Sequence, residues 1–428
     1  MRLLNASGSL PHLRTIARLV LAACVAIPSS LSASADQFGL PQNDDSSAFL
    51  CESCDPLRES AAEFGSPPWS LDTLFRDDCG LTAAPVYYGE VFTNARGGLS
   101  TNDATRYEGL LNLPISLDCR EAGLPLPGKF HLLAQNTHGQ GLSQKFVGDT
   151  QVLSNIDSLG NIMQVSEYWW EFDLLESDLA VRLGKQDLNT EFLAMEMAAD
   201  FINSSFGISP SAVFPTYPSP SMAVVLLAQL SDSLEFKYGV WDGFADGGSW
   251  GFSGEGILFH FAELDYSYSL RDGQLPGSLE AGAAYIPGGK FHNTLLPEIH
   301  GYYLQVEQLV YRENAREQQD TQGLGVFISY FPRFPNGVFP SFSIRGDVVA
   351  GAIYTGLIPS RDKDVIGLGL AWAKLNRGGT NQETAVEFFY QAQISKTTSL
   401  QPDIQYIASP SGIYRDALAV GLRFQVEL

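Results

Sequence analysis

Between Thr384 and Leu428 the sequence alternates strictly between apolar and polar residues. Three consecutive segments show this period of two, which is the period of a β-strand with one apolar and one polar face. The last segment keeps the alternation to its end, so that the chain stops on an apolar residue. A soluble sandwich would show the same alternation with its apolar face inward. A closing strand that ends on an apolar residue is more typical of an outer-membrane β-barrel.

Similar alternation recurs upstream, from Val86 onward. It predicts an all-β fold, namely a transmembrane, antiparallel, up-and-down β-barrel of sixteen strands. Short turns alternate along the chain with long loops, which is typical of an outer-membrane barrel with turns at one rim and loops at the other. The predicted long loops are 140–166, 187–220, 245–255 and 286–300.

The link 187–220 is the most unusual of these loops. It contains a helix-like segment, Glu191 to Asn203, and ends in a run with four prolines. A connection of this length inside a regular β array is usually functional. We expect it to fold into the lumen and narrow it, with Asn203 at the constriction. An equally open alternative is that Asn203 only caps or packs the loop.

The first 35 residues have the form of a secretory signal peptide. Three arginines and a short apolar core precede an A-x-A cleavage site at 33–35. A competing interpretation is a lipoprotein box ending at Cys24, although Arg18 leaves little apolar sequence before that cysteine. Cleavage at the A-x-A site would leave 36–84 as a short periplasmic extension, or a partial plug, ahead of a barrel formed by 85–428.

Composition narrows the class of protein and its partners. After the signal, no apolar run approaches the ~20 residues that a membrane helix needs. Charged residues make up 17 %, and glycine is abundant at 41, which fits glycine-relieved barrel strands. The net charge of −22 argues against nucleic acid as a partner and against an anion-selective pore. It predicts either a solvated acidic surface or acidic outer loops that bind lipopolysaccharide through divalent cations.

Four of the five cysteines follow the signal. Export to an oxidising compartment favours disulfides over zinc, and the C-x-x-C at Cys51 and Cys54 lacks a second ligand pair. Cys79 comes just before the first predicted strand and Cys119 just after the second, so a hairpin brings both to one rim. We therefore predict a Cys79–Cys119 disulfide, with Cys51 and Cys54 as further disulfide candidates, and neither a metal nor a cofactor.

Several short segments occur in a characteristic order. They are LGKQD at 183–187 with EF at 191–192 and FINSSFG at 201–207, then GLIP at 356–359 with Arg361 and DVIGLG at 364–369, then Glu387 with YQAQ at 390–393 and LQPDIQYI at 400–407. Weaker matches are YGE at 88–90 and VGD at 147–149. Together they resemble the bacterial carbohydrate-selective porins, the OprB-like outer-membrane family, over about 86–428.

The resemblance implies a sixteen-stranded barrel that passes monosaccharides and related small sugars. Two features depart from the family pattern. The cysteine-bearing N-terminal extension is not part of that pattern. The last residue is Leu428 instead of the phenylalanine common in such barrels, so recognition by the assembly machinery is expected to be looser.

Strand alternation assigns the polar side chains that face the lumen. A pore that favours sugars needs hydrogen-bond donors and acceptors at its constriction, and the arginine fork suits vicinal hydroxyls. The alternative is that the charges pair with one another and only hydrate a wide channel. The predicted substrate path comprises Glu90, Arg96, Trp169, Glu171, Arg182, Gln186, Asn203, Arg345, Asp347, Glu387, Asp403 and Arg423.

Aromatic residues can bind the apolar faces of sugar rings. Trp169 and Trp241 fall on the polar face and are predicted to stack on sugars, whereas Trp170 faces outward as a lipid-interface residue.

The catalytic motif H-E-x-x-H and the nucleotide-binding motif G-x-x-x-x-G-K-[ST] do not occur in the sequence, and no enzyme activity is predicted. The leading hypothesis is passive, carbohydrate-selective diffusion across the outer membrane. The alternatives are a general porin, a barrel enzyme, which would need a Ser-His pair at an interface strand, and a structural anchor for 36–84. Expected partners are small sugars, outer-membrane lipid and lipopolysaccharide, and the barrel is expected to work as a monomer or a homotrimer.

Overall fold

A computed structural model describes residues 80–158, 160–174, 178–212, 215–243, 248–291, 294–296, 298–314, 320–332, 344–376 and 379–428. These residues contain nineteen strands. The strands are β1 (Leu81–Ala83), β2 (Val86–Gly98), β3 (Thr105–Asp118), β4 (Lys129–Gly139), β5 (Ile162–Leu174), β6 (Leu179–Gln186), β7 (Ser221–Ser231), β8 (Leu234–Asp242), β9 (Leu258–Leu270), β10 (Leu275–Ile286), β11 (Gly289–Phe291), β12 (Thr294–Leu296), β13 (Ile299–Arg312), β14 (Gly323–Phe331), β15 (Ile344–Thr355), β16 (Val365–Leu375), β17 (Gln382–Gln393), β18 (Thr398–Ala408) and β19 (Arg415–Glu427).

Sixteen of these strands, β2 to β10 and β13 to β19, form a closed antiparallel barrel, as the alternation predicted. Each strand pairs with its neighbour in the barrel, and β19 pairs with β2 to close the wall, with Arg423 opposite Glu90. Closure leaves no free sheet edge, so every strand finds its hydrogen-bond partners within the wall.

Two short elements lie outside this count. Strand β1 pairs with the end of β3, with Thr82 opposite Ser116, and so adds a strand at the rim where β2 begins. It belongs to the segment 36–84, for which the sequence predicted no strand. Strands β11 and β12 form a separate hairpin in the link between β10 and β13.

The outer surface of the barrel is apolar. Large outward side chains are strongly exposed, among them Tyr302 at 62 % and Leu368 at 56 %. A continuous apolar wall of this kind is characteristic of a barrel surrounded by lipid hydrocarbon. Among the described residues, no helix has the length and apolar character required to cross a membrane.

The predicted helix over Glu191–Asn203 is wrong. In this segment the structure has a 3-10 turn, Glu196–Ala198, followed by a single α-helical turn at Ser204–Gly207. The physical reason is a competition for backbone N–H groups. Several N–H groups of the segment are donated to carboxylates on the barrel wall, so they are not available for helical hydrogen bonds.

The cysteine prediction falls mostly outside the described residues, because Cys51, Cys54 and Cys79 are not among them. Cys119 is buried and is a free thiol within the described part of the chain. The neighbouring residue of Cys79, Gly80, accepts a 2.8 Å hydrogen bond from the N–H of Asp118. The chain positions next to both cysteines therefore meet at one rim, and the Cys79–Cys119 disulfide stays a prediction.

Candidate functional site

The constriction loop, residues 187–220, runs along the inner wall instead of projecting away from the barrel. Five wall carboxylates accept hydrogen bonds from its backbone N–H groups, and we call them the tether carboxylates. They are Glu167 (from Asp187, 3.2 Å), Glu263 (from Leu193, 3.1 Å), Glu307 (from Met197, 2.6 Å), Asp347 (from Ser211, 3.0 Å) and Glu387 (from Asn203, 2.8 Å). They come from five different strands, so the loop is held around much of the barrel by charge-assisted hydrogen bonds.

Apolar side chains of the constriction loop fill the space behind it. Phe201 stacks on Phe206 with ring centroids 4.3 Å apart, and its edge meets Phe389 of β17 at 4.9 Å. A Cβ on Gly369 would lie 2.4 Å from the Phe206 ring, so a larger residue at this wall position would displace the aromatic rings of the loop. The aromatic packing and the tethers together fix the loop against the wall.

A second loop, residues 140–161, also turns inward and meets the constriction loop. The N–H of Asn155 donates to the carbonyl of Ile202 at 2.8 Å, and the N–H of Ser204 donates to the carbonyl of Val152 at 3.1 Å. This second loop has its own wall acceptor, since Glu383 of β17 binds the N–H groups of residues 150 and 151. The two loops therefore form one inward structure.

Two acidic groups of these loops have raised pKa values. Burial, reinforced by the charge of Glu383 and opposed by a hydrogen bond from Ser143, raises the pKa of Asp149 to about 7. Burial also raises the pKa of Asp200, against the hydrogen bond from Gln391. Both loops thus hold carboxyl groups whose protonated form is favoured by their surroundings.

A line of alternating charges crosses the inner wall from β4 to β9, and we call it the ionic ladder. Its contacts are Lys129–Glu171 at 3.0 Å, Glu171–Arg182 at 2.6 Å, Arg182–Glu191 at 2.7 Å, Lys237 to the Glu191 carbonyl at 2.9 Å, and Lys237–Asp265 at 2.5 Å. Glu191 belongs to the constriction loop, so the ladder joins the loop to the wall. The predicted residues Glu171 and Arg182 are brought together here.

The predicted residues at the pairing of β19 with β2, which we call the seam, also contact each other. The Arg423 guanidinium contacts the Glu90 carboxylate at 2.6 Å and donates to the side chain of Asn155 at 2.7 Å. Asp403 is buried and accepts a hydrogen bond from Gln405. Glu90 and Arg423 are thus paired with each other and with a loop residue, which is the alternative that the alternation left open, whereas Asp403 bonds within its own strand to an uncharged side chain.

Asn203 and Gln186 are both buried. The Asn203 side chain accepts a hydrogen bond from the N–H of Ser205, which caps the short helical turn, and it donates one to Gln405 at 3.0 Å. The backbone carbonyl of Gln186 accepts a hydrogen bond from the indole N–H of Trp241. Asn203 therefore has the capping and packing arrangement that was the alternative to a substrate contact.

The structure corrects the predicted stacking of Trp169 and Trp241 on sugars. Trp169 lies between His131 of β4, at a centroid distance of 4.6 Å, and the Arg182 guanidinium of β6, at 4.3 Å. Trp241 is almost fully buried and packs edge-on against Phe192. Neither indole has a ring face open to the lumen. Trp170, on the outward row as predicted, stacks on Phe130.

Two bulges break the alternation and move two predicted lumen residues. Arg96 is exposed and pairs with Leu418, which in turn pairs with Tyr406 on the outer face. The assignment of Arg96 to the lumen is therefore wrong, because the extra residue between Asn94 and Arg96 reverses the face. Arg345 occupies a second bulge, between Ile344 and Gly346, and so falls outside the regular inward row.

The predicted path omitted residues that the structure brings to the centre of the site. They are Lys129, Glu191, Lys237, Asp265 and the tether carboxylates Glu167 and Glu263. Most lie at inward positions of strands, so alternation alone could have found them. Their contacts with a loop far away in sequence carried no comparable signal.

A family model described as carbohydrate-selective porin, OprB family, matches residues 102–428. Porin B of Pseudomonas aeruginosa is 20 % identical over 398 residues, which cover 79 % of this chain and 86 % of that protein. The high-pH structure of Pseudomonas putida OprB aligns with a TM-score of 0.71 at 19 % identity, covering 82 % of this chain and 95 % of the other. The low-pH structure of the same protein aligns with a TM-score of 0.56 at 18 % identity, covering 82 % and 94 %. At these identities the structural likeness shows the fold.

Proposed function

This chain belongs to the OprB family of carbohydrate-selective porins, and we propose that sugars cross its barrel along the ionic ladder. The protein is an outer-membrane porin for small sugars and is therefore a channel rather than an enzyme. Membership of the family does not identify the residues that contact the sugar.

The observation that carries the proposal is that the ladder is both paired and accessible. Side-chain exposure is 47 % for Lys129, 22 % for Glu191 and 17 % for Asp265. Paired charges attract a passing ion less than isolated ones do, because each charge is already compensated. Their remaining donors and acceptors still bind the hydroxyl groups of a neutral sugar.

Liposome swelling with the purified protein tests this proposal. We expect glucose to enter faster than an amino acid or a salt of similar size. Glu191→Gln removes one ladder charge while Arg182 keeps its partner Glu171, so this variant should lose most of the glucose advantage.

Glu196→Gln is the matched control, since it makes the same change in the same loop at an exposed residue outside the ladder. The control should behave like the unmodified protein. Equal loss of glucose preference in both variants would remove the ladder from the path, and equal rates for all solutes in the unmodified protein would indicate a general porin.

We also propose that residues 1–35 direct export and are removed, and that 36–84 forms a periplasmic extension. Support comes from the A-x-A site and from strand β1, which joins the end of this extension to the rim where β2 begins. Mass spectrometry of protein isolated from the outer membrane should find a mature N-terminus at Asp36. A lipid-modified Cys24 at the N-terminus would favour the lipoprotein alternative instead.

A finer proposal concerns the lipid partner. The net charge of −22 and exposed acids such as Asp103 would let divalent cations bridge the outer loops to lipopolysaccharide phosphates. Co-purified lipopolysaccharide that is released by a chelator would support this arrangement, and retention after chelation would contradict it.

A further inference from the structure

Three carboxylates come together on the inner wall at the pairing of β9 with β10. Asp265 of β9 lies directly opposite Glu280 of β10, and Glu263 lies two residues further along β9 on the same face. One oxygen from each of the three lies within 4.8 Å of the others. This carboxylate group is separate from the seam pair Glu90–Arg423 and adjoins the end of the ionic ladder.

The negative charge of this carboxylate group is not fully compensated by neighbouring cations. Glu280 is 9 % exposed, and its Oε2 is buried without a hydrogen-bond partner, as is Oδ1 of Asp265. Within the described part of the chain the only cation in salt-bridge contact is Lys237, which pairs with Glu263 at 3.1 Å and with Asp265 at 2.5 Å. One lysine cannot compensate three carboxylates, and an uncompensated buried carboxylate is costly.

The donor set indicates which kind of cation would fit. All three ligand residues offer carboxylate oxygen, and none offers nitrogen or sulfur. Calcium takes six to eight oxygen ligands in a tolerant geometry, and three carboxylates plus lumen water meet that need. Magnesium demands a stricter octahedron, and zinc prefers nitrogen and sulfur.

We propose that Glu263, Asp265 and Glu280 bind a calcium ion on the lumen wall. The ion is held between two paired strands, so its ligands are placed by the sheet register and need no loop closure. Glu263 also accepts the N–H of Leu193, at 3.1 Å, and the hydroxyl proton of Tyr303. A bound ion would therefore stabilise both the strand pair and this attachment point of the constriction loop. This inference does not depend on the sugar path.

Terbium luminescence in the purified full-length protein tests the site. Tyr303 contacts Glu263 and is close enough to sensitise a bound terbium ion. We expect sensitised emission that added calcium suppresses. Glu280→Gln should raise the terbium concentration needed for half-maximal emission at least tenfold, because it removes the ligand that has no other partner.

Asp173→Asn is the matched control. It neutralises an exposed acid on the inner face of β5, outside the carboxylate group, and should bind terbium like the unmodified protein. Heat-modifiable migration in gels checks that each variant folds. If Glu280→Gln does not fold, Asp265→Asn carries the same expectation.

Calcium-suppressed emission that is equally strong in Glu280→Gln and in the unmodified protein would overturn the proposal. No calcium-suppressed emission from the unmodified protein at neutral pH would also overturn it, and would mean that protons alone neutralise the group.

Discussion

Glu307 shows what an inward carboxylate does in this barrel. Its two oxygens each accept one backbone N–H of the constriction loop, from Glu196 at 3.1 Å and from Met197 at 2.6 Å. Because both oxygens are used, the carboxylate cannot be replaced by an amide without losing an acceptor. The side chain serves the loop, and its contribution to solute contact is indirect.

Glu307→Gln should loosen the 196–197 turn. The amide keeps one acceptor oxygen but directs an NH₂ group at the second N–H, which loses about 1–3 kcal/mol of local stability. Since 1.4 kcal/mol is a factor of ten, hydrogen exchange across residues 191–203 should accelerate roughly tenfold to a hundredfold. Mass spectrometry of that peptide measures it.

Glu427→Gln serves as the comparison for this variant, because Glu427 is an exposed residue at the end of β19 that touches neither loop. Its exchange pattern should not change. Unchanged exchange in Glu307→Gln itself would mean that the aromatic packing alone holds the loop.

Sequence alternation predicts the face of a side chain but not its partner. It correctly places Glu387 and Arg423 inside, because a period of two leaves no other choice on a regular strand. It fails for Arg96, where one extra residue reverses the face. It cannot tell that Glu387 meets residues 202 and 203, since those lie about 185 positions away.

Among the larger elements, the loop 140–161 combines tight packing with a carboxyl group in unfavourable surroundings. Asp149 accepts a hydrogen bond from Ser143, yet its Oδ1 is buried without a partner and the charge of Glu383 is near. An acid with a raised pKa binds its proton more tightly in the folded loop than in the unfolded chain. Its contribution to stability is therefore full at acidic pH and declines as pH rises towards about 7.

Asp149→Asn should abolish this dependence, because the amide resembles the protonated acid. At pH 8 the variant's loop should exchange its amide protons several-fold more slowly than the unmodified loop, and at pH 5 the two should be nearly equal. Comparing both proteins at each pH cancels the intrinsic pH effect on exchange. Faster exchange of the variant at pH 8 would contradict the conclusion that burial disfavours the charged form of Asp149.

The seam between β19 and β2 depends on a buried ion pair. Arg423→Met would leave Glu90 buried without its partner, at a cost of about 3–5 kcal/mol. The temperature at which the barrel unfolds on a gel should fall clearly. Adding Glu90→Gln to this variant should recover part of the loss, because the unpaired charge is then gone. No recovery would assign the effect to the lost Asn155 contact instead.

Strands were predictable as elements because each carries its own period, and the sixteen expected strands are all present. Their ends were less certain, as with β5, which begins at Ile162 although the sequence indicated Glu167. The helix expected at 191–203 was wrong because its local pattern competes with acceptors supplied by distant strands. Such acceptors are not visible in a local window of sequence.

The whole molecule carries a large negative charge, −22 over the full chain, and many acids face inward. A lumen with excess carboxylate raises the local concentration of cations. In a planar bilayer with a KCl gradient, the reversal potential should therefore show that potassium permeates more easily than chloride. A potential near zero would mean that the paired ladder, not the net charge, controls ion passage.

At this scale the barrel could be predicted from composition and periodicity, because closure is the way in which strands satisfy their backbone in lipid. The shape of the solute passage could not be predicted in this way. That shape depends on how two loops dock on each other, as in the contact of Asn155 with Ile202, and on aromatic packing around Phe201. Both are contacts between residues far apart in the chain.

The tether carboxylates have a consequence for how such a channel could be modified. They accept hydrogen bonds from peptide N–H groups, which every residue except proline possesses. These hydrogen bonds therefore depend little on which side chains the loop carries. A mutagenesis library at exposed loop positions such as Ala194 could therefore change the solute that passes while the anchoring stays intact. The barrel could then serve as a scaffold for designed sensing pores, in which the side chains of the constriction loop vary while its backbone hydrogen bonds hold it to the wall.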